Sequence, residues 1–140
     1  MKKIVIAAGT GFLGSVLVDY FQNQFDEIVI LTRGKSKVVG KIKYVNWDAK
    51  TFSGWENELE QADVLINLAG KSVDCRYNET NKAEILNSRI DSTKIITQAV
   101  LQCQQPPKHW LNSSTSTIYR FSLDKQMDET TGEIGDDFSM

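Results

Sequence analysis

The chain has 140 residues, 41% hydrophobic and 24% charged, with a formal net charge of -2. That size suits one domain around one core, and the slight acidity supplies no field to hold nucleic acid or an anionic membrane, so neither is an expected partner. No apolar run approaches the ~20 residues of a membrane span, and the run at residues 4–8 is short of the roughly 7–15 apolar residues of a secretory leader. The cytoplasm is therefore the expected compartment.

Residues 4–8, Ile4-Val5-Ile6-Ala7-Ala8, form a continuous apolar run ended by glycine, the pattern of a strand buried on both faces. Leu13, Val16, Leu17, Tyr20 and Phe21 recur at three- and four-residue spacing, which predicts a helix laid on a sheet along that stripe. Residues 27–32, with Ile28-Val29-Ile30-Leu31, read as a second buried strand, and 42–47 as a third with weaker patterning. Residues 52–59 have room for a short helix. Residues 63–69, with Val64-Leu65-Ile66, give a fourth strand. Ala83, Leu86, Ile90, Thr93, Ala99 and Cys103 mark a long helix over about 79–104, broken by Pro106-Pro107. Residues 108–113, with His109-Trp110-Leu111, give a fifth strand.

Beyond Phe121 the pattern fades. Asp124, Asp128, Glu129, Glu133, Asp136 and Asp137 make residues 121–140 an acidic tail that is expected to be irregular. The alternation of strand and helix predicts an α/β Rossmann-type domain over residues 1–140. Its doubly wound parallel sheet would have about five strands in the order 3-2-1-4-5. Cys75 and Cys103 fit no ligand spacing, and with His109 they fall short of the about four ligands zinc needs, so no metal is expected. Trp47, Trp55 and Trp110 read as core or half-buried packing.

The chemistry points to the first turn. Gly9-Thr10-Gly11-Phe12-Leu13-Gly14 is a G-x-G-x-x-G that follows one expected strand and opens one expected helix. Glycine lets the chain reverse at positive φ. A bare Gly11 lets a pyrophosphate approach the backbone, and Gly14 lets helix and strand pack closely. The helix N-terminus then offers unpaired N–H groups and a positive dipole end to phosphate. The competing reading is a tight turn with no ligand.

At the end of the second strand, a carboxylate would bind the ribose 2′-hydroxyl of NAD. This chain has Thr32 there, then Arg33, Gly34, Lys35, Ser36 and Lys37. A neutral Thr32 removes repulsion of a 2′-phosphate and Arg33 can grip it, so the expected cofactor is NADP in preference to NAD. The plainer alternative is a solvated basic turn.

Together with Asn67-Leu68-Ala69-Gly70 after the fourth strand and Ser113-Ser114-Thr115-Ser116-Thr117-Ile118-Tyr119 after the fifth, this turn resembles the extended short-chain dehydrogenase/reductase superfamily. The narrower resemblance is to its atypical NAD(P)-dependent epimerase-like subfamily. It rests on Asn67-Leu68-Ala69-Gly70, Ser88-Arg89-Ile90-Asp91-Ser92-Thr93 and Trp110-Leu111-Asn112-Ser113-Ser114-Thr115. The chain resembles only the N-terminal part of such proteins, truncated before the last strands and the substrate lobe. The resemblance implies that Gly9, Gly11 and Gly14 line the pyrophosphate while Thr10, Phe12 and Leu13 close the turn. Arg33, next to Thr32, would meet the adenosine phosphate, and Asp48 the adenine. Asn67, Leu68, Ala69 and Gly70 would run along the ribose and nicotinamide, beside Ser113. Thr115 would be the hydroxyl that polarises a substrate carbonyl or alcohol.

Three departures qualify this. Ala8 stands where such enzymes usually have the first glycine of the turn. Ser88-Arg89 replaces the asparagine usual in the long helix, which unsettles any proton relay through it. No Tyr-x-x-x-Lys exists, because Tyr20, Tyr44, Tyr77 and Tyr119 are followed four residues on by Gln24, Asp48, Asn81 and Leu123. The expectation is therefore the cofactor-binding portion of a nucleoside-diphosphate-sugar epimerase/dehydratase-like oxidoreductase, itself with little or no turnover. Its small-molecule substrate would be unspecified, with a nucleotide sugar among the candidates. A non-catalytic dinucleotide-sensing or interaction module is the alternative. An unpaired fifth-strand edge would favour self-association.

Overall fold

Runs of isoleucine, valine and leucine with no polar face leave a chain little choice but to stack strands under cover on both sides. The computed structural model, which describes residues 1–115 and 118–135, builds its sheet from such runs. The elements in order are β1 (Lys3–Ala7), α1 (Phe12–Phe21), β2 (Glu27–Thr32), β3 (Lys37–Val39), β4 (Ile42–Asn46), a 3₁₀ turn (Trp55–Leu59), β5 (Val64–Asn67), α2 (Glu79–Gln102) and β6 (His109–Asn112). They form one six-stranded sheet in the order β3-β4-β2-β1-β5-β6. All neighbours are parallel except β3, which pairs antiparallel with β4. Without β3 the order is the expected 3-2-1-4-5, so the Rossmann-like architecture holds and β3 is an addition. Its three exposed residues, Lys37, Val38 and Val39, turn back into β4 through Gly40 at φ +60°.

Alternate residues of the strands point to opposite faces. Ile4, Ile6, Ile28, Ile30 and Ile66 lie beneath α1, packed with Val18, Leu17, Phe21 and Phe25. Val5, Ala7, Val29, Leu31 and Leu65 lie on the other face, beneath Ile95, Ile96 and Ala99 of α2 and beside Trp47, Trp55 and Leu59. Each fully buried branched side chain contributes on the order of 1.5–3 kcal/mol of transfer free energy.

Each helix buries only part of the stripe expected: Leu17 and Phe21 of α1 pack inward, as do Ala99 of α2 and Cys103 just after it, while the rest of each stripe faces out. On α1 the inward residues are Gly14, Leu17, Val18 and Phe21, while Leu13, Val16 and Tyr20 are 58%, 50% and 66% exposed. Two apolar stripes overlap on this short helix, and only one face can meet a sheet. Gly14, lacking a side chain, wins the contact because the helix can come closest there. On α2 the buried residues are Ile85, Ser92, Ile95, Ile96 and Ala99, whereas Ala83, Leu86 and Ile90 are exposed. Trp47 and Trp55 are buried and stack edge-on with centroids 5.6 Å apart. Trp110, on the exposed β6, is not core.

Residues 121–135 contain no helix or strand. Tyr119 and Ile134 make a single antiparallel bridge, and Glu133 pairs with Arg120 and, at 3.2 Å, with Lys125. Those cations hold the Glu133 carboxyl down at about 2. Ser116, Thr117 and residues 136–140, with Asp136 and Asp137, lie outside the described residues. No helix of the described residues is long and apolar enough to cross a membrane.

Candidate functional site

Because β1, β2, β4, β5 and β6 run parallel, their carboxyl ends share one edge of the sheet. The register sets Ala7 beside Leu31 and Asn67, Thr32 beside Asn46, and Asn67 beside Asn112. The expected cofactor-binding residues therefore lie at or shortly after the carboxyl ends of strands on that edge, where open α/β sheets bind ligands, whereas Ser88 and Arg89 lie on α2.

The three glycines of the first turn have separate steric roles. A Cβ on Gly9 would fall 2.9 Å from Ile6 Cγ2 and 3.2 Å from Ile30 Cγ2, so this residue seats the turn on the sheet. A Cβ on Gly14 would fall 2.2 Å from the Gly9 carbonyl oxygen, which no side chain tolerates. A Cβ on Gly11 would meet nothing within 4 Å: the space there is open. The left-handed residue of the turn is not a glycine, contrary to the sequence reading. It is Ala8, at φ +58°, held by its N–H donating to the Leu31 carbonyl at 2.9 Å, and by Leu68 N–H donating to the preceding Ala7 carbonyl at 3.0 Å. Thr10, Phe12 and Leu13 are exposed around the turn. Gly11 is the N-cap of α1 at φ -84°, no side chain caps that helix, and its first turn has no acidic residue. Gly9, Thr10, Ser15, Val18, Asp19, Ile30, Ile42 and Tyr44 line a hollow of about 320 Å³ beside it.

Thr32 Oγ1 accepts from Gly34 N–H at 3.2 Å and so tightens the next turn. Arg33 is exposed and has no carboxylate partner among the described residues. Its turn is held by Asn46, whose Nδ2 donates to the carbonyls of Arg33 at 3.3 Å and Gly34 at 3.0 Å, and whose N–H donates to Ser36 Oγ at 2.9 Å. Asn46 was not anticipated; an asparagine closing a strand gives only a weak turn signal. The Asp48 carboxylate is committed to its own loop. Thr51 and Lys50 N–H groups donate to one oxygen, each at 2.8 Å, and Thr51 Oγ1 to the other at 2.7 Å. These bonds, the Thr51 amide first, pull its pKa below the usual carboxylate value.

Asn67 is 2% exposed. Its Nδ2 donates to Asn112 Oδ1 at 2.8 Å, its Oδ1 accepts from Ala69 N–H at 3.0 Å, and its carbonyl accepts from Ser113 N–H at 2.9 Å. The Asn67–Asn112 pair ties the ends of β5 and β6; Asn112 is a second partner that sequence reasoning passed over. Leu68 and Ala69 are half-buried, and Gly70 is exposed where α2 approaches. Ser113 and Thr115 are exposed after β6. Ser116 and Thr117 of the same motif lie outside the described residues. Arg76 and Tyr77 are exposed in the 71–78 loop, with the Tyr77 hydroxyl donating to the Val73 carbonyl at 2.7 Å. The described residues hold no group of three potential metal-ligating side chains.

The profile of the NAD dependent epimerase/dehydratase family matches residues 4–136. The epimerase family protein YfhF of Bacillus subtilis is 35% identical over 137 residues, which cover 97% of this chain and 45% of that protein. A human epimerase family protein solved with NADPH superposes with a TM-score of 0.76 at 27% identity, over 94% of this chain and 42% of that one. The UDP-N-acetylglucosamine 4-epimerase of Bacillus cereus shares the fold, with a TM-score of 0.71 at 24% identity over 97% of this chain and 43% of that one. The chain thus spans less than half the length of the relatives it matches.

Proposed function

The chain belongs to the NAD dependent epimerase/dehydratase family, and on that premise we propose that it is the dinucleotide-binding portion of a nucleotide-sugar epimerase- or dehydratase-like oxidoreductase, with NADP preferred over NAD. The observation that carries this reading is the uncapped N-terminus of α1 behind a glycine turn with open space at Gly11. Unpaired helix amides and a positive dipole end suit a pyrophosphate, and a bare Gly11 leaves it room. Gly9, Thr10, Gly11, Phe12, Leu13 and Gly14 would hold the pyrophosphate, and Asp48 and its loop would border the adenine.

The NADP preference rests on charge. Arg33 has no carboxylate partner among the described residues and follows a neutral Thr32, so a 2′-phosphate would find a cation not already paired there. One solved relative carries NADPH and other neighbours of the fold carry NAD, so the charge argument is what supports the preference. When bound, the cofactor supplies a hydride donor or acceptor at its nicotinamide. Leu68, Ala69, Gly70 and Ser113 would flank that ring, with Asn67 holding their two strands together. Thr115 would hold a hydrogen bond to the substrate oxygen as charge develops on it. Without a Tyr-x-x-x-Lys the 140-residue chain has little or no turnover by itself, and its compartment in this reading is the cytoplasm.

One observation favours the association side of a second reading, a non-catalytic dinucleotide-sensing or interaction module. All four residues of β6 are exposed, and this edge strand has room for another strand. In that reading two copies associate along β6. Sedimentation would then show a dimer at high concentration; monomer throughout would refute it.

The main reading is tested by calorimetric titration with NADP and with NAD, on the wild type and on Arg33→Ala. The expected result is tighter binding of NADP, with a loss of roughly tenfold or more in the variant and little change for NAD. Equal affinity for the two nucleotides, unchanged by the substitution, would overturn the 2′-phosphate contact. No heat with either nucleotide, from folded protein, would overturn cofactor binding itself.

A further inference from the structure

The loop that leaves β5 is fastened to α2 from two sides of one residue. Lys71 N–H donates to Ser88 Oγ at 2.9 Å, and the Lys71 carbonyl accepts from Arg89 Nη1 at 3.3 Å. The two helix residues are themselves anchored, since Ser88 Oγ and Arg89 Nη1 each donate to the Ile85 carbonyl at 3.0 Å. A Cβ on Gly70 would come within 3.1 Å of Arg89 Cζ, so the guanidinium fills the place a side chain there would take. The Lys71 side chain adds a tether by donating to Asn81 Oδ1 at 2.7 Å and pairing with Glu84.

Residues 68–70 are therefore strung between two fixed points. At one end Asn67 is buried and bonded to Asn112 and to Ala69 N–H, while Leu68 N–H is bonded to the Ala7 carbonyl. At the other end Lys71 is held by Ser88 and Arg89. Arg89 is half-buried and has no carboxylate partner among the described residues. Drawing a guanidinium in without an anion costs desolvation, which its bonds to two carbonyls offset. None of the hydrogen bonds and ion pairs that Lys71, Ser88 and Arg89 make among the described residues reaches the glycine turn or the Arg33 turn, so the two halves of the site can be separated by experiment.

We propose that Ser88 and Arg89 are positioning residues that set the Leu68-Ala69-Gly70 edge against the nicotinamide half of bound NADP, by clamping both polar groups of Lys71. This rests on the dinucleotide reading above. Where similar enzymes carry an asparagine in this helix, the clamp gives Ser88-Arg89 a task that needs no proton relay.

The test is calorimetry on wild type, Arg89→Ala, Arg89→Lys and Ser88→Ala with two probes, NADP and adenosine 2′,5′-bisphosphate. The second probe carries the adenosine phosphates and no nicotinamide. In Arg89→Ala the expected change is roughly tenfold weaker NADP with the bisphosphate unchanged within about twofold, and Arg89→Lys should recover part of the loss. Ser88→Ala should show the same split more weakly, with faster amide exchange at Lys71. Equal weakening of both probes would mean general destabilisation and overturn the proposal, as would NADP affinity unchanged in all three variants. Wild type that binds neither probe would instead overturn the dinucleotide reading beneath it.

Discussion

The two long helices begin in opposite ways. At α2, Asn78 Oδ1 accepts from Asn81 N–H at 2.8 Å and Glu79 places a carboxylate in the first turn, so the helix caps one of its own free amides and offsets its own dipole. At α1 the N-cap is Gly11, with no side-chain bond and no acid in the first turn. The same physical need is met from within at one helix and left open at the other. An N-terminus left open beside a bare glycine has room for an anion; one that is capped and acidic repels it.

Four substitutions break or sharpen that contrast. The largest effect belongs to Gly14→Ala, whose methyl would overlap the Gly9 carbonyl; urea unfolding should show a loss of about 3 kcal/mol, with nucleotide binding lost alongside. Gly11→Ala adds a methyl to open space at an ordinary φ, so stability should move by no more than about 1 kcal/mol while NADP affinity falls roughly tenfold. If both quantities stayed unchanged, the open end of α1 would not be a phosphate site. Asn78→Ala should do the reverse, costing about 1 kcal/mol of stability at the capped end with NADP affinity intact.

The smallest effect is Asp48→Asn, read in acid. The Asp48 carboxyl is held below its ordinary pKa by Thr51 and Lys50. Its contribution is therefore present above the unfolded carboxylate pKa and lost as pH falls through the lowered folded value. Wild type should lose a small increment of stability over that acid range. The variant should lack that increment's pH dependence, and identical acid profiles would count against the loop bonds.

β1, β2 and β5 were legible because strands buried on both faces need unbroken apolar runs. Three-residue β3 was not, since Lys37-Val38-Val39 is too short to show a period. On α1 the spacing gave the helix and two of its inward residues, Leu17 and Phe21, but mixed them with the outward Leu13, Val16 and Tyr20 and left out Gly14, because a glycine carries no hydrophobic signal. The motif positions at the sheet edge were legible because each follows a strand. Their supports were not. Asn46 matters through Arg33 and Gly34, Asn112 through Asn67, and Arg89 through Lys71, and none of these partnerships leaves a mark at the asparagine or arginine itself. Ala8 was noticed only as a missing glycine, whereas its left-handed φ is imposed by strands on either side.

That left-handed alanine makes the turn adjustable over evolutionary time. An alanine at φ +58° is strained by about 1 kcal/mol relative to glycine. Glycine and alanine codons differ by a single base, so one mutation at position 8 trades strain for a looser chain by removing a single methyl, on a residue that packs against the core on the α2 side of the sheet. A lineage could thus drift between a stiffer and a softer first turn while Gly9, Gly11 and Gly14 stayed the same.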